Sequence, residues 1–223
     1  MIFEKGDRIL FAGDSVTDMG SNQPIGELNG LGNTTYVNMM HCFSTSSYPE
    51  LELRLSNAGH SGATTRSYLA RFDEDVLDPA PKGYKPNWVS ICLGINDVWS
   101  QFASPILPDR HVLPDEYEAN LEEMIRRIHE NLDVKGIFIA TPFMIESCKE
   151  DAMRKRMDEY GAICKKVAQK HGCILVDFQA AFDEFLKYYH SAIIALDRIH
   201  PNFLGAHILA KAFLKKCDFD FTR

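Results

Sequence analysis

The sequence predicts an α/β fold in which a five-stranded parallel sheet is covered by helices on both faces. Two observations carry that expectation. Short apolar runs alternate with longer stretches of helical period, the pattern of repeated β-α units feeding a parallel sheet. The 223 residues include 45% hydrophobic and 25% charged side chains, and no stretch rich in Pro, Gly or Ser divides them, so residues 1–223 are expected to form one domain with a full core.

Taken in order, the runs at 8–12, 51–56, 88–93, 134–140 and 173–178 read as the five strands. Helical patterns fall between them at 36–43, 64–72, 116–132 and 152–171, and a last helix covers 203–215. The charged run from Glu122 to Arg127 is a solvated helix face. Segments 19–35 and 99–114 are irregular and rich in Gly, Pro and polar residues, so they are expected to wall a site. In open sheets of this kind, ligands bind beyond the carboxyl ends of the strands. That rule selects Gly13-Asp14-Ser15, residues 57–62, residues 94–97, and residues 197–200 ahead of the last helix.

Composition removes several function classes. A net charge of −7 without an extensive basic cluster disfavours nucleic acid. The opening Met1-Ile2-Phe3-Glu4-Lys5-Gly6 lacks the apolar core of a signal peptide, and no apolar run reaches membrane-spanning length, so no membrane partner and a cytoplasmic location are expected. Cys42, Cys92, Cys148, Cys164, Cys173 and Cys217 form no C-x-x-C pair and read as packed thiols. His60, His111, His190 and His207 lack ligand spacing, so neither a metal nor another cofactor is expected.

The chemistry-bearing residues lie at the selected strand ends. Ser15 follows an apolar strand at a Gly-Asp-Ser turn, which presents its hydroxyl to solvent. A free serine is a weak nucleophile and needs a base, usually a histidine oriented by a carboxylate. Asp197 and His200 stand three apart, close enough for the carboxylate to reach the imidazole within one tight turn. Acyl transfer also needs donors aimed at a tetrahedral oxyanion. The backbone N–H of Ser15, that of Gly62 and the side-chain amide of Asn96 are the three candidates. Asp14 and Asp97 read as carboxylates that organise backbone N–H groups. Trp99 and Gln101 are expected to bind substrate, with Phe102 beside them and Asn22, Gln23 and Asn33 on the other irregular segment.

Gly13-Asp14-Ser15, Gly62, Gly94-Ile95-Asn96-Asp97 and Asp197-Arg198-Ile199-His200, in this order, resemble the four blocks of the SGNH (GDSL) hydrolases over nearly the whole chain. The resemblance implies a flavodoxin-like three-layer α/β/α sandwich. It also implies that Ser15, Gly62, Asn96 and His200 are the four named family residues, with Asp197 completing the triad. Val16 stands where the family usually carries leucine. The segments Leu93 to Trp99, Asp115 to Glu118, Thr141-Pro142-Phe143 and Met153-Arg154 are similar to small intracellular acetyl-xylooligosaccharide esterases, in which an aromatic residue commonly precedes the triad aspartate; here it is Leu196.

The expected activity is therefore removal of short acyl groups, foremost O-acetyl from xylo-oligosaccharides or related sugars, by an enzyme able to form homo-oligomers. A lipase or acyl-thioesterase on the same triad is the alternative, distinguished by a long apolar acyl pocket. A flavodoxin-like binding module is disfavoured because the loop after the first strand lacks phosphate-binding glycines.

Overall fold

The first strand of the computed structural model, β1 (Arg8–Gly13), is at the centre of a six-stranded sheet; residues 1–23, 25–79 and 85–223 are described. Ile9, Leu10, Phe11 and Ala12 are all fully buried, which is why the run is apolar on both faces rather than alternating. After it come α1 (Ser15–Asp18), β2 (Gly26–Glu27), α2 (Tyr36–Ser47), β3 (Arg54–Gly59) and α3 (Thr65–Leu69). The next elements are β4 (Trp88–Cys92), α4 (Ile95–Ala103), α5 (Pro114–Asn131) and β5 (Gly136–Ala140). The chain closes with α6 (Ala152–Lys170), β6 (Ile174–Val176), α7 (Phe178–Phe185) and α8 (Phe203–Lys216).

The strand order is β2-β3-β1-β4-β5-β6, with β1, β3, β4, β5 and β6 parallel. Helices α2, α7 and α8 pack together, and α3, α4, α5 and α6 form the other helical layer. Between sheet and the first layer, Phe213 of α8 meets Phe11, Tyr36 and Phe138 with ring centroids 4.6–6.4 Å apart. Truncating such a ring typically costs about 3–5 kcal/mol. Local capping sets where the helices begin. Thr35, Asp151 and Asn202 accept backbone N–H groups at the starts of α2, α6 and α8, and Thr64 forms a capping box with Ser67 on α3. Among the described residues, no helix is long and apolar enough to cross a membrane.

Several expectations need correction. The sheet has six strands rather than five: β2 adds an antiparallel edge, pairing Gly26 with Asn57 and Glu27 with Ser56. Two residues carry no hydrophobic period, so this strand leaves no pattern to read. The second parallel strand runs Arg54–Gly59 rather than 51–56, because Pro49–Leu51 form a 3-10 turn closed at Glu52. The helix expected at 64–72 ends at Leu69, and a π-helical turn, Asp73–Leu77, follows. The segment expected to be irregular from Trp99 is helical to Ala103, and Phe178 opens α7 instead of ending a strand.

Candidate active site

Parallel strands bring the carboxyl ends of β1, β3 and β4 side by side, and α1, the 60–64 turn and α4 start there. Ser15 is the first residue of α1. The Asp14 carboxylate caps that turn by accepting Val16 N–H at 3.0 Å, and Gly13 is small enough to let the turn fold back, since a Cβ there would sit 2.1 Å from Thr17 Oγ1.

The turn before α8 carries the partners. Ser15 Oγ lies 2.7 Å from His200 Nε2, and His200 Nδ1 lies 2.6 Å from Asp197 Oδ2. Asp197 Oδ1 accepts Ile199 N–H at 3.0 Å and His200 N–H at 2.9 Å, so one carboxylate shapes the turn and orients the ring. Partial burial opposes ionisation of Asp197, but the hydrogen bonds from the His200 ring and from the two backbone N–H groups outweigh it, leaving its pKa below the ordinary carboxylate range. Trp99 lies against the His200 ring with centroids 5.7 Å apart. Arg198, between the two, adopts the left-handed conformation at φ 64° and pairs with Glu146 at 2.8 Å and Asp151 at 3.1 Å.

Gly62 sits at φ +80°, a conformation that favours glycine, and nothing among the described residues lies within 4 Å of where its Cβ would be. Asn96 donates from Nδ2 to Ala63 O at 3.0 Å, which ties α4 to the Gly62 turn and leaves the second amide hydrogen for a ligand. Neither Ser15 N–H nor Gly62 N–H enters a turn, loop or cap hydrogen bond among the described residues.

Two carboxyl groups beneath the site are buried. Burial raises Asp14 to about 7, with the charge of Asp97 adding to it against the Val16 hydrogen bond. Burial likewise raises Asp97 to about 6, although the Thr65 hydroxyl and N–H both donate to it.

Two open clefts flank the serine and histidine. One of about 640 Å³ is bordered by Gly62, Thr64, Arg66, Asn96, Trp99 and Arg110. The other, about 520 Å³, is bordered by Met19, Thr34, Ile194, Leu196, Asp197 and His200. The structure thus brings Ser15, Gly62, Asn96, Trp99, Asp197 and His200 to one place. It does not bring Gln101 there: its amide donates to Asp97 O at 2.9 Å and to the Tyr160 hydroxyl at 2.9 Å, and it borders neither cleft. Gln23 instead reaches Gly59 O at 3.1 Å, and Pro24 in the same segment lies outside the described residues.

Sequence reasoning did not anticipate three contacts that hold this arrangement: Asp18, which accepts the Ser61 hydroxyl at 2.5 Å; Asp75, paired with His60 at 3.0 Å; and the pairs of Arg198. Position in the triad block could have marked Arg198. The other two act across 43 and 15 residues and leave no local signal.

The profile of the GDSL-like Lipase/Acylhydrolase family matches residues 11–208. An acetylxylan esterase from Geobacillus stearothermophilus is 44% identical over 220 residues, covering 98% of this chain and 97% of that protein. The crystal structure of an acetylxylan esterase from the same organism superposes with a TM-score of 0.93 at 42% identity, covering 100% of this chain and 99% of the other. Further structures of that enzyme carry substitutions of a serine, a histidine and an aspartate described as catalytic. An alpha/beta hydrolase enzyme from the metagenome of Lake Arreo, Spain, matches with a TM-score of 0.91 at 44% identity over 98% of each chain.

Proposed function

The chain belongs to the GDSL-like lipase/acylhydrolase family and is a carboxylic ester hydrolase, and on that premise we propose that it is a serine esterase whose Ser15, His200 and Asp197 remove acetyl groups from xylo-oligosaccharides or related sugars. The observation that carries the reading is the unbroken chain of contacts from Ser15 Oγ to His200 Nε2 at 2.7 Å and from His200 Nδ1 to Asp197 Oδ2 at 2.6 Å.

In this reading Ser15 Oγ attacks the acetyl carbonyl while His200 Nε2 takes its proton. The carbonyl oxygen becomes an oxyanion facing the N–H groups of Ser15 and Gly62 and the free amide hydrogen of Asn96; each such donor is worth about 3 kcal/mol of barrier. Collapse expels the sugar oxygen, which takes the proton from His200, and leaves acetyl-Ser15. Water then attacks that ester with His200 again as base, and acetate departs.

The larger cleft carries groups that suit a sugar. Thr64, Arg66, Ser67, Asn96, Ser100, Asp109 and Arg110 around it offer hydroxyl, amide and charged groups, with Trp99 for stacking. Free thiols at all six cysteines support a reducing compartment such as the cytoplasm. Exposed Ile193, Leu196, Phe203 and Leu204, next to the triad in sequence, support self-association, which sedimentation tests directly.

The test is a series of 4-nitrophenyl esters from acetate to palmitate, followed by acetylated xylobiose. kcat/KM is expected to fall steeply beyond acetate, and Ser15→Ala to lose both turnover and fluorophosphonate labelling. Equal efficiency on octanoate without acetate release from the sugar would replace this reading with the lipase one.

A further inference from the structure

Gly62 lies within a turn whose central peptide has two possible orientations. Ala63 N–H donates to His60 O at 3.0 Å, closing a four-residue turn with Ser61 and Gly62 at its centre. Positive φ at the third residue is the mark of a type II turn; in type I the central peptide is turned over while the ends stay put. Here the central peptide is Ser61–Gly62, so this choice decides where the Gly62 N–H points. The ends are anchored independently, His60 N–H to Gly13 O at 2.9 Å and Ala63 O to Asn96 at 3.0 Å, and neither anchor distinguishes the two orientations.

The contact that touches the centre comes from α1. Ser61 Oγ donates to Asp18 Oδ2 at 2.5 Å, while Asp18 Oδ1 accepts Ser21 N–H at 3.2 Å and Ser21 Oγ at 3.0 Å. Asp18 is itself fixed relative to the nucleophile. It lies one helical turn after Ser15, and Asn57 Nδ2 donates to Thr17 O at 2.6 Å. Gly59 permits α1 to press onto the end of β3, where a Cβ would come within 2.4 Å of Asp18 N.

We infer that Asp18 is a positioning residue for the oxyanion site: by holding the Ser61 hydroxyl it fixes the Ser61–Gly62 peptide in the frame of Ser15. The inference rests on reading Gly62 N–H as an oxyanion donor. Among the described residues Asp18 has no hydrogen bond to a triad side chain; its link to the donor turn is Ser61.

The experiment compares Asp18→Ala, Asp18→Asn, Ser61→Ala and the Asp18→Ala/Ser61→Ala double variant by kcat and KM on 4-nitrophenyl acetate. It also measures inhibition by a small alkyl boronic acid, which forms a tetrahedral adduct on the nucleophilic serine. A misdirected donor should lower kcat about 10-fold, short of the roughly 10²–10³ that outright loss of a donor costs. KM is expected to hold, the boronic acid to weaken by the same factor as kcat, and the double variant to be no worse than the weaker single one. Asp18→Asn, which keeps an acceptor oxygen, should recover most of the loss. Ser61→Ala spares the Ser21 contacts and carries the test if Asp18→Ala misfolds. A lower melting temperature with unchanged boronic acid affinity overturns the inference, as does wild-type kcat in both single variants. Ser15→Ala separates the two levels: if it keeps full turnover, the active-site reading fails, whereas if it loses turnover while Asp18→Ala and Ser61→Ala do not, only the positioning role fails.

Discussion

Asp14→Asn is expected to become more stable than the wild type as pH rises, by a margin set by the burial of one carboxyl group. Asp14 is wholly enclosed; Oδ1 accepts Val16 N–H at 3.0 Å, and Oδ2 has no hydrogen-bond partner among the described residues. Burial lifts its pKa from 3.8 to about 7. Because the folded value is the higher one, the stability this group contributes is complete below the unfolded value of 3.8 and is lost as pH rises through about 7. The interval is about three units, and at 1.36 kcal/mol per unit the loss is about 4 kcal/mol. Asparagine keeps the oxygen that caps α1 and never ionises. The stability difference between variant and wild type should therefore grow by about 4 kcal/mol from pH 4 to pH 8, or by about 8–16 °C in melting temperature for a chain of this size. Urea denaturation of both proteins at pH 4, 6 and 8 measures it, and the other titrating groups, common to both, cancel to first order. A difference that stays flat across that range would refute the argument that burial keeps Asp14 protonated.

Asp197→Asn should lower kcat on the order of 10⁴-fold with the fold intact, because an amide no longer holds the imidazole in the tautomer that accepts the serine proton; steady-state kinetics beside a circular dichroism spectrum checks it. Its depressed folded pKa also means that the stability Asp197 contributes is present above 3.8 and lost as pH falls through the lower folded value, so wild type and variant should converge in strong acid. At Arg198, both Ala and Gly remove the pairs with Glu146 and Asp151, but only Gly relieves the φ of 64°. Arg198→Gly should thus be more stable than Arg198→Ala by about 1 kcal/mol in urea denaturation, and the reverse order contradicts the strain argument.

What the sequence made legible was whatever acts locally or repeats. β1 from Ile9 to Ala12 and β4 apart from Ser90 are apolar because neighbours cover both faces, and Asp197 and His200 meet because three residues separate them. α7 had a signal that the neighbouring strand obscured: Phe178, Phe182 and Phe185 recur at helical spacing, and Asp177 caps them by accepting Ala180 N–H, yet Phe178 also extends the apolar run before it. α4 had a signal too: Ile95, Val98, Trp99 and Phe102 recur at helical spacing, but Trp99 and Phe102 fall in the segment read as irregular. Where Gln101 points was not legible for a different reason. Its polarity suited a sugar site, but partners 4, 11 and 59 residues away take up its amide, and only the folded chain brings them together.

The contacts at 61, 63 and 65 explain why the donor turn needed three dimensions to be seen. Ser61 is held by Asp18, Ala63 by Asn96, and Thr65 by Asp97, from partners 43, 33 and 32 residues away. The residues between them, Gly62 and Thr64, border the larger cleft together with Arg66. Two of the anchors, Asn96 and Asp97, are adjacent at the start of α4, and the third follows Ser15 by one turn of α1. The three proposed oxyanion donors therefore share one hydrogen-bonded frame. Burying Asp97 within it, where its pKa rises to about 6, is the energetic cost of that rigidity.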